Sequence, residues 1–162
     1  MDNNIVNLDL SATKGTTVQV NNDPNASFTL NLSDFSIYDR LTDGMSQLYD
    51  LFVELKNKMG AVAESENLEG EGDDAEFNIG EFADIMKEMD GKMRNIVDYI
   101  FSAPVSDVCA PQGYMFDLFE GQLRFEYIIN AITKLYENNI NKEFYKLKSR
   151  ISNKLPKYVG KK

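Results

Sequence analysis

The chain has 162 residues, 43% of them hydrophobic, and a formal net charge of −9, enough length and apolar content to bury one core without covalent staples. It contains no histidine and a single cysteine, Cys109, so the commonest general base and metal ligand is missing and an intramolecular disulfide is excluded. The charge is divided: residues 1–121 hold 7 Lys/Arg against 23 Asp/Glu, and residues 122–162 hold 10 against 3, a polarity that points to steering and docking of partners more than to a reaction.

Residues 1–33 read as a small antiparallel β element. Ile5, Leu8 and Leu10, then Val18 and Val20, then Phe28, Leu30 and Leu32 stand among mostly polar neighbours, the alternation of half-buried strands. Thr13–Gly15 and Asn21–Asn25 supply the turns. Ser33 or Asp34 can cap a first helix over 34–63, whose stripe Leu41, Met45, Leu48, Phe52, Leu55 and Met59 repeats every three or four residues and predicts one buried face. Residues 64–76 carry seven acidic and no basic residues, a self-repelling composition expected of a flexible linker.

The segment 77–162 reads as helical. A second helix, starting near Phe77 or Ile79, runs through Phe82, Ile85, Met89, Met93, Ile96 and Ile100 to Phe101. Pro104 and Pro111 then bracket a loop from Ala103 to Gly113 that holds Cys109. A third helix is predicted from Phe116 to Tyr136 and, past Asn138-Asn139, a fourth with Phe144, Leu147, Ile151 and Leu155 on one side, ended by Pro156. The expected fold is α+β, mainly α: a bundle of about four helices with a small N-terminal antiparallel β element. Its core is expected from Leu48, Phe52, Leu55, Phe82, Ile85, Met89, Ile96, Ile100, Leu123, Ile128, Ile132 and Leu135.

Candidate chemistry is sparse. An EF-hand ending at Glu81 would need a carboxylate at Gly70 and a glycine at Ala75, and one with Gly91 of Asp90-Gly91 as its turn glycine would need its last ligand at Val97, so the spacing refuses both. Met86, Met89 and Met93 can form an adaptable docking groove or ordinary core, and core is the simpler reading. Cys109, between Val108 and Ala110, reads as a structural thiol. No pair of carboxylates is singled out by spacing. The expectation is a non-enzymatic protein without metal or cofactor.

The basic residues Lys142, Lys146, Lys148, Arg150 and Lys154 surround the apolar side of the last predicted helix and are the candidate partner-binding residues. Packing accounts for the apolar side but not for the charge, so the helix reads as a solvated face, a protein-docking face or, less in keeping with a net charge of −9, a nucleic-acid contact. No stretch approaches the ~18 apolar residues of a membrane span. The start Met1-Asp2-Asn3-Asn4 lacks the features of a signal peptide, so a cytoplasmic protein is expected.

The phrase Met93-Arg94-Asn95-Ile96-Val97-Asp98-Tyr99-Ile100-Phe101, the short Cys109-Ala110-Pro111 loop and the run Arg124-Phe125-Glu126-Tyr127-Ile128-Ile129 resemble the siphophage tail assembly chaperones of phages and prophages of Gram-positive bacteria, best over residues 77–155. Ser102-Ala103-Pro104 replaces the glycine-rich turn common there after the phenylalanine. The resemblance implies a protein of the host bacterial cytoplasm that binds the long tape-measure protein, keeps it soluble and helps recruit tail-tube subunits. The charge split would also allow copies to associate head to tail into a spiral. Rival readings are a structural subunit of the virion, an acidic regulatory protein acting on a host factor, and a hydrolase using unrecognised carboxylates.

Overall fold

The computed structural model describes residues 15–68 and 78–159, and side chains within 15–62 and 78–151. The expected strand over Ile5–Leu10 lies outside them. β1 (Thr16–Val20) and β2 (Asp23–Leu30) pair antiparallel, with Thr16 opposite Leu30 and Val18 opposite Phe28. Their connection is shorter than the expected Asn21–Asn25 turn. Asn21 and Asn22 alone make it, both with positive φ (55° and 59°), the backbone that a two-residue hairpin requires and asparagine tolerates. Asp23, Pro24 and Asn25 belong to β2, the proline being accommodated at the start of a strand with no neighbour on its other side among the described residues. Phe28 and Leu30 are buried on either side of exposed Thr29.

The Asp34 carboxylate accepts hydrogen bonds from the Ser36 N–H at 3.0 Å and from Arg40 Nη2 at 2.9 Å. These contacts hold a turn, so α1 (Ile37–Leu68) begins three residues later than Asp34. It also runs five residues into the expected acidic linker, because that composition does not by itself stop a helix; the rest of that segment lies outside the described residues. α2 (Ile79–Phe101) starts behind Asn78, whose side chain accepts from the Glu81 N–H at 3.1 Å. It ends at Ser102, a left-handed residue (φ 50°), with the Ala103 N–H returning to the Asp98 carbonyl.

Three further departures from expectation shape the second half. The loop between the prolines contains a short helix, α3 (Val105–Cys109), started by Pro104 and tied down by Asp98, which accepts from the Ser106 N–H and hydroxyl at 2.7 and 2.9 Å. Residues 116–123 are not helical. Their end is a small hairpin, β3 (Leu118–Phe119) and β4 (Gln122–Leu123), turning at Glu120-Gly121 with both φ positive. Finally, the third and fourth predicted helices are one: α4 (Arg124–Val159) passes through Asn138-Asn139 and Pro156 without interruption. Asn139 is tolerated because its amide reaches out and donates to the Leu32 carbonyl at 3.1 Å, anchoring the helix to the segment between β2 and α1.

The fold is α+β and mainly α. α1 and α2 pack antiparallel: Arg40 donates to the Ile100 carbonyl at 2.9 Å near one end, and the lattice Glu54, Lys58, Glu88 and Lys92 spans the other at 2.6–3.3 Å. Between them Gly44 lies so close to α2 that an added Cβ would stand 2.4 Å from the Ile100 side chain. The first part of α4 crosses this pair, Phe125 against Phe52 and Phe116, Tyr136 stacked on Phe101 at 6.4 Å. One core joins hairpin and helices. Of the expected core, Leu48, Met89, Ile96, Ile100, Ile128 and Ile132 are buried, whereas Phe52, Leu55, Phe82, Ile85 and Leu123 are half-buried and Leu135 is exposed. Met45, expected on the buried face of α1, is 53% exposed, because α4 covers the neighbouring Leu48 side instead.

Candidate partner-binding surface

An apolar seam runs along α4 from Ile129 to Ile151: Ile129, Tyr136, Ile140, Phe144, Leu147 and Ile151, separated by whole turns or by three or four residues, so that all share one side of the helix. Its first part is covered by the bundle, with Ile129 and Tyr136 buried and Ile140 half-buried. Beyond Ile140 every described residue is exposed, and Phe144, Leu147 and Ile151 are 63%, 52% and 50% exposed. Apolar side chains at a regular helical spacing, left in water by their own fold, mark a contact surface.

The candidate residues Lys142, Lys146, Lys148 and Arg150 are all on this projecting half and exposed. Lys154 lies in the same helix, its side chain outside the described residues. Lys146 pairs with Glu143 at 2.7 Å, which holds the Glu143 carboxyl below its ordinary range. Lys142, Lys148 and Arg150 have no ion pair among the described residues. By helical register Lys148 and Arg150 flank the seam on opposite sides, while Lys142 and Lys146 lie behind it. The arrangement can bind an amphipathic helix with acidic flanks, burying three side chains and steering by charge.

The platform that holds α4 is fixed by groups that the sequence reading did not single out. The buried Asp90 carboxylate accepts from the Met115 N–H and from Arg94 Nε, and Arg94 in turn donates to the Ser106 and Gly113 carbonyls and pairs with Asp107 at 3.2 Å. This cluster staples residues 106–115 to α2, and burial of a charged pair with several hydrogen bonds fixes one arrangement of the loop. The signal available in sequence was Asp90 and Arg94 one helical turn apart on an otherwise apolar face.

The other sequence candidates resolve structurally. Met89 and Met93 are fully buried and Met86 half-buried, so they are core and not a groove. Cys109 is half-buried, and its burial followed by the nearby Asp98 charge pushes the thiol up to about 11, leaving it protonated and a poor nucleophile near neutrality. It sits on the wall of an apolar cavity of about 560 Å³ between β1, the Ala110–Gln112 turn and α4. Among the described residues no three carboxylate or thiol groups gather to hold a metal ion, and no helix is long and apolar enough to cross a membrane. The chain matches no family model, no curated protein and no solved structure.

Proposed function

We propose that the chain is a non-enzymatic phage tail assembly chaperone that binds the helix-rich tape-measure protein in the host cytoplasm, keeps it soluble and helps recruit tail-tube subunits. The observation that carries the reading is the uncovered second half of α4. A helix that leaves its own bundle with Phe144, Leu147 and Ile151 in water and Lys148 and Arg150 beside them is built to receive another helix. Shielding apolar helical segments of a long client is what such a surface does, and the acidic remainder of the chain keeps the complex soluble. The resemblance over residues 77–155 names the client.

The test is co-expression of the full chain with tape-measure fragments, wild type against the double variant Leu147→Asp, Arg150→Glu. The variant is expected to lose co-purification while its circular dichroism and melting temperature are unchanged, and wild-type binding is expected to weaken as salt rises, since exposed charges are screened over about 8–10 Å. Equal recovery of the client by both proteins would overturn the proposal.

A further inference from the structure

Between the hairpin and the first part of α4 lies the cavity of about 560 Å³ that Cys109 borders, far larger than the voids a packed core leaves and within the size range of small-molecule sites. Its floor is apolar and buried, with Phe28, Ala110, Ile128 and Ile132, and it opens to solvent past exposed Gln112 and Tyr127. The two ends differ. Thr16 pairs with Leu30, and the Leu32 carbonyl takes the Asn139 amide, so the open end of the hairpin lies toward the far part of α4 and its Asn21-Asn22 turn toward the helix start. Val18, Ile132 and Leu135 therefore line one end, and Asn21, Gln112 and Arg124 the other. Along α4 these ends, Arg124 and Leu135, stand roughly 16 Å apart by the rise of a helix, the reach of a medium-length fatty-acid chain with its headgroup.

We infer that this cavity binds an anionic amphiphile, a single apolar chain ending in a carboxylate, with the chain toward Leu135 and the carboxylate at Arg124. Among the described residues that line the cavity Arg124 is the only charged one, so its walls attract an anion and present no carboxylate to repel it. The guanidinium is half-buried and held in place: Nη1 donates to the Gln112 carbonyl at 2.7 Å, and Nη2 faces Asp117 at 3.5 Å. A guanidinium carries five N–H donors in a planar fork, so donors remain for a ligand carboxylate. Asp117 stands outside the lining and already accepts from the Tyr114 N–H at 2.9 Å. The Asn21 and Gln112 side chains add uncharged donors at the same end. Toward Leu135 the walls offer apolar contact, which disfavours a ligand that is polar along its whole length, such as a sugar or a nucleotide. The Cys109 thiol, pushed up to about 11 by burial, adds no charge near neutrality. The cavity shares no residue with the seam Phe144, Leu147 and Ile151, so this site and the proposed client site stand or fall separately.

Isothermal titration calorimetry of the purified full chain tests it, with decanoate and decanol as probes, each kept below the concentration at which it self-associates. Wild type is expected to bind one decanoate per chain, roughly tenfold or more tighter than decanol, since only the carboxylate gains charge-assisted hydrogen bonds. Its melting temperature should rise with decanoate concentration. Arg124→Gln should bind the two probes equally. Arg124→Lys also gives up the bond to the Gln112 carbonyl but keeps the charge, and should retain the preference for decanoate, which separates recognition of the headgroup from damage to the loop. Ala131→Phe, at an exposed position on the cavity wall, should fill the space for the chain and bind neither probe while melting like wild type in their absence. No binding by wild type, decanol bound as tightly as decanoate, a preference lost equally in Arg124→Lys, or binding that Ala131→Phe leaves unchanged would each overturn the inference.

Discussion

The two halves of α4 carry the same seam and meet opposite fates. Ile129, Ile132 and Tyr136 are 7%, 4% and 2% exposed, and Phe144, Leu147 and Ile151 are at least half exposed. Nothing in the spacing of the apolar residues separates them, because periodicity says that a helix has a face, whereas burial depends on whether another element reaches it. α1, α2 and the hairpin surround the first half; Asn139, held by the Leu32 carbonyl, stands at the boundary. The second half remains helical through continuity with the first and exposes what the first conceals. Fold and docking are thus two uses of one amphipathic pattern.

The comparison breaks most sharply at Ile132 and Leu147. Ile132→Ala should cost roughly 2–5 kcal/mol in denaturant unfolding, since it leaves a cavity in the core, whereas Leu147→Ala should stay within about 0.5 kcal/mol of wild type. Equal losses at the two sites would mean that the projecting half is covered. Next in size, Asp90→Ala should cost roughly 2–3 kcal/mol, because it leaves the Met115 N–H and the Arg94 guanidinium without their buried acceptor; a neutral result would show that the loop needs no staple. Ser102→Gly should raise stability by about 1 kcal/mol, glycine adopting the left-handed φ of 50° without a Cβ penalty.

A smaller effect is expected from pH. The Cys109 thiol titrates at about 11 in the fold against an ordinary value of 9.0. Between those values the unfolded chain releases its proton first, so stability present below pH 9.0 should decline as pH rises toward about 11. A Cys109→Ser variant should flatten that part of the pH–stability curve. Alkylation of the native thiol near neutrality should also be slow compared with the unfolded chain, and rapid alkylation would mean the thiol is freely exposed.

Much of this fold was legible in the sequence. A turn within Asn21–Asn25, a helix start near Ile79 and the buried positions Met89, Ile96, Ile100, Ile128 and Ile132 follow from local turn chemistry and helical spacing. What was not legible depended on distant contacts. Asn138-Asn139 looks like a break, yet Asn139 satisfies its side chain on the Leu32 carbonyl just past β2 and the helix continues. Phe116–Leu123 has a helical spacing, yet the Arg124 N–H bonded to the Asp117 carbonyl and the Phe125 N–H to that of Met115 fold it into a hairpin. The basic residues of the candidate surface can be read from sequence as a group, but which of them flank an exposed seam depends on where the bundle stops.

The central claim is that residues 141–151 of α4 are uncovered in the free protein and become covered when a partner helix docks. Amide hydrogen exchange along α4, measured on dilute protein alone and in complex with a co-expressed tape-measure fragment, tests it most directly. Residues 125–136 should be protected in both states, and residues 141–151 should exchange fast alone and slowly in the complex. Protection of 141–151 already equal to that of 125–136 in the dilute protein, or no change there when the fragment is bound, would contradict the account.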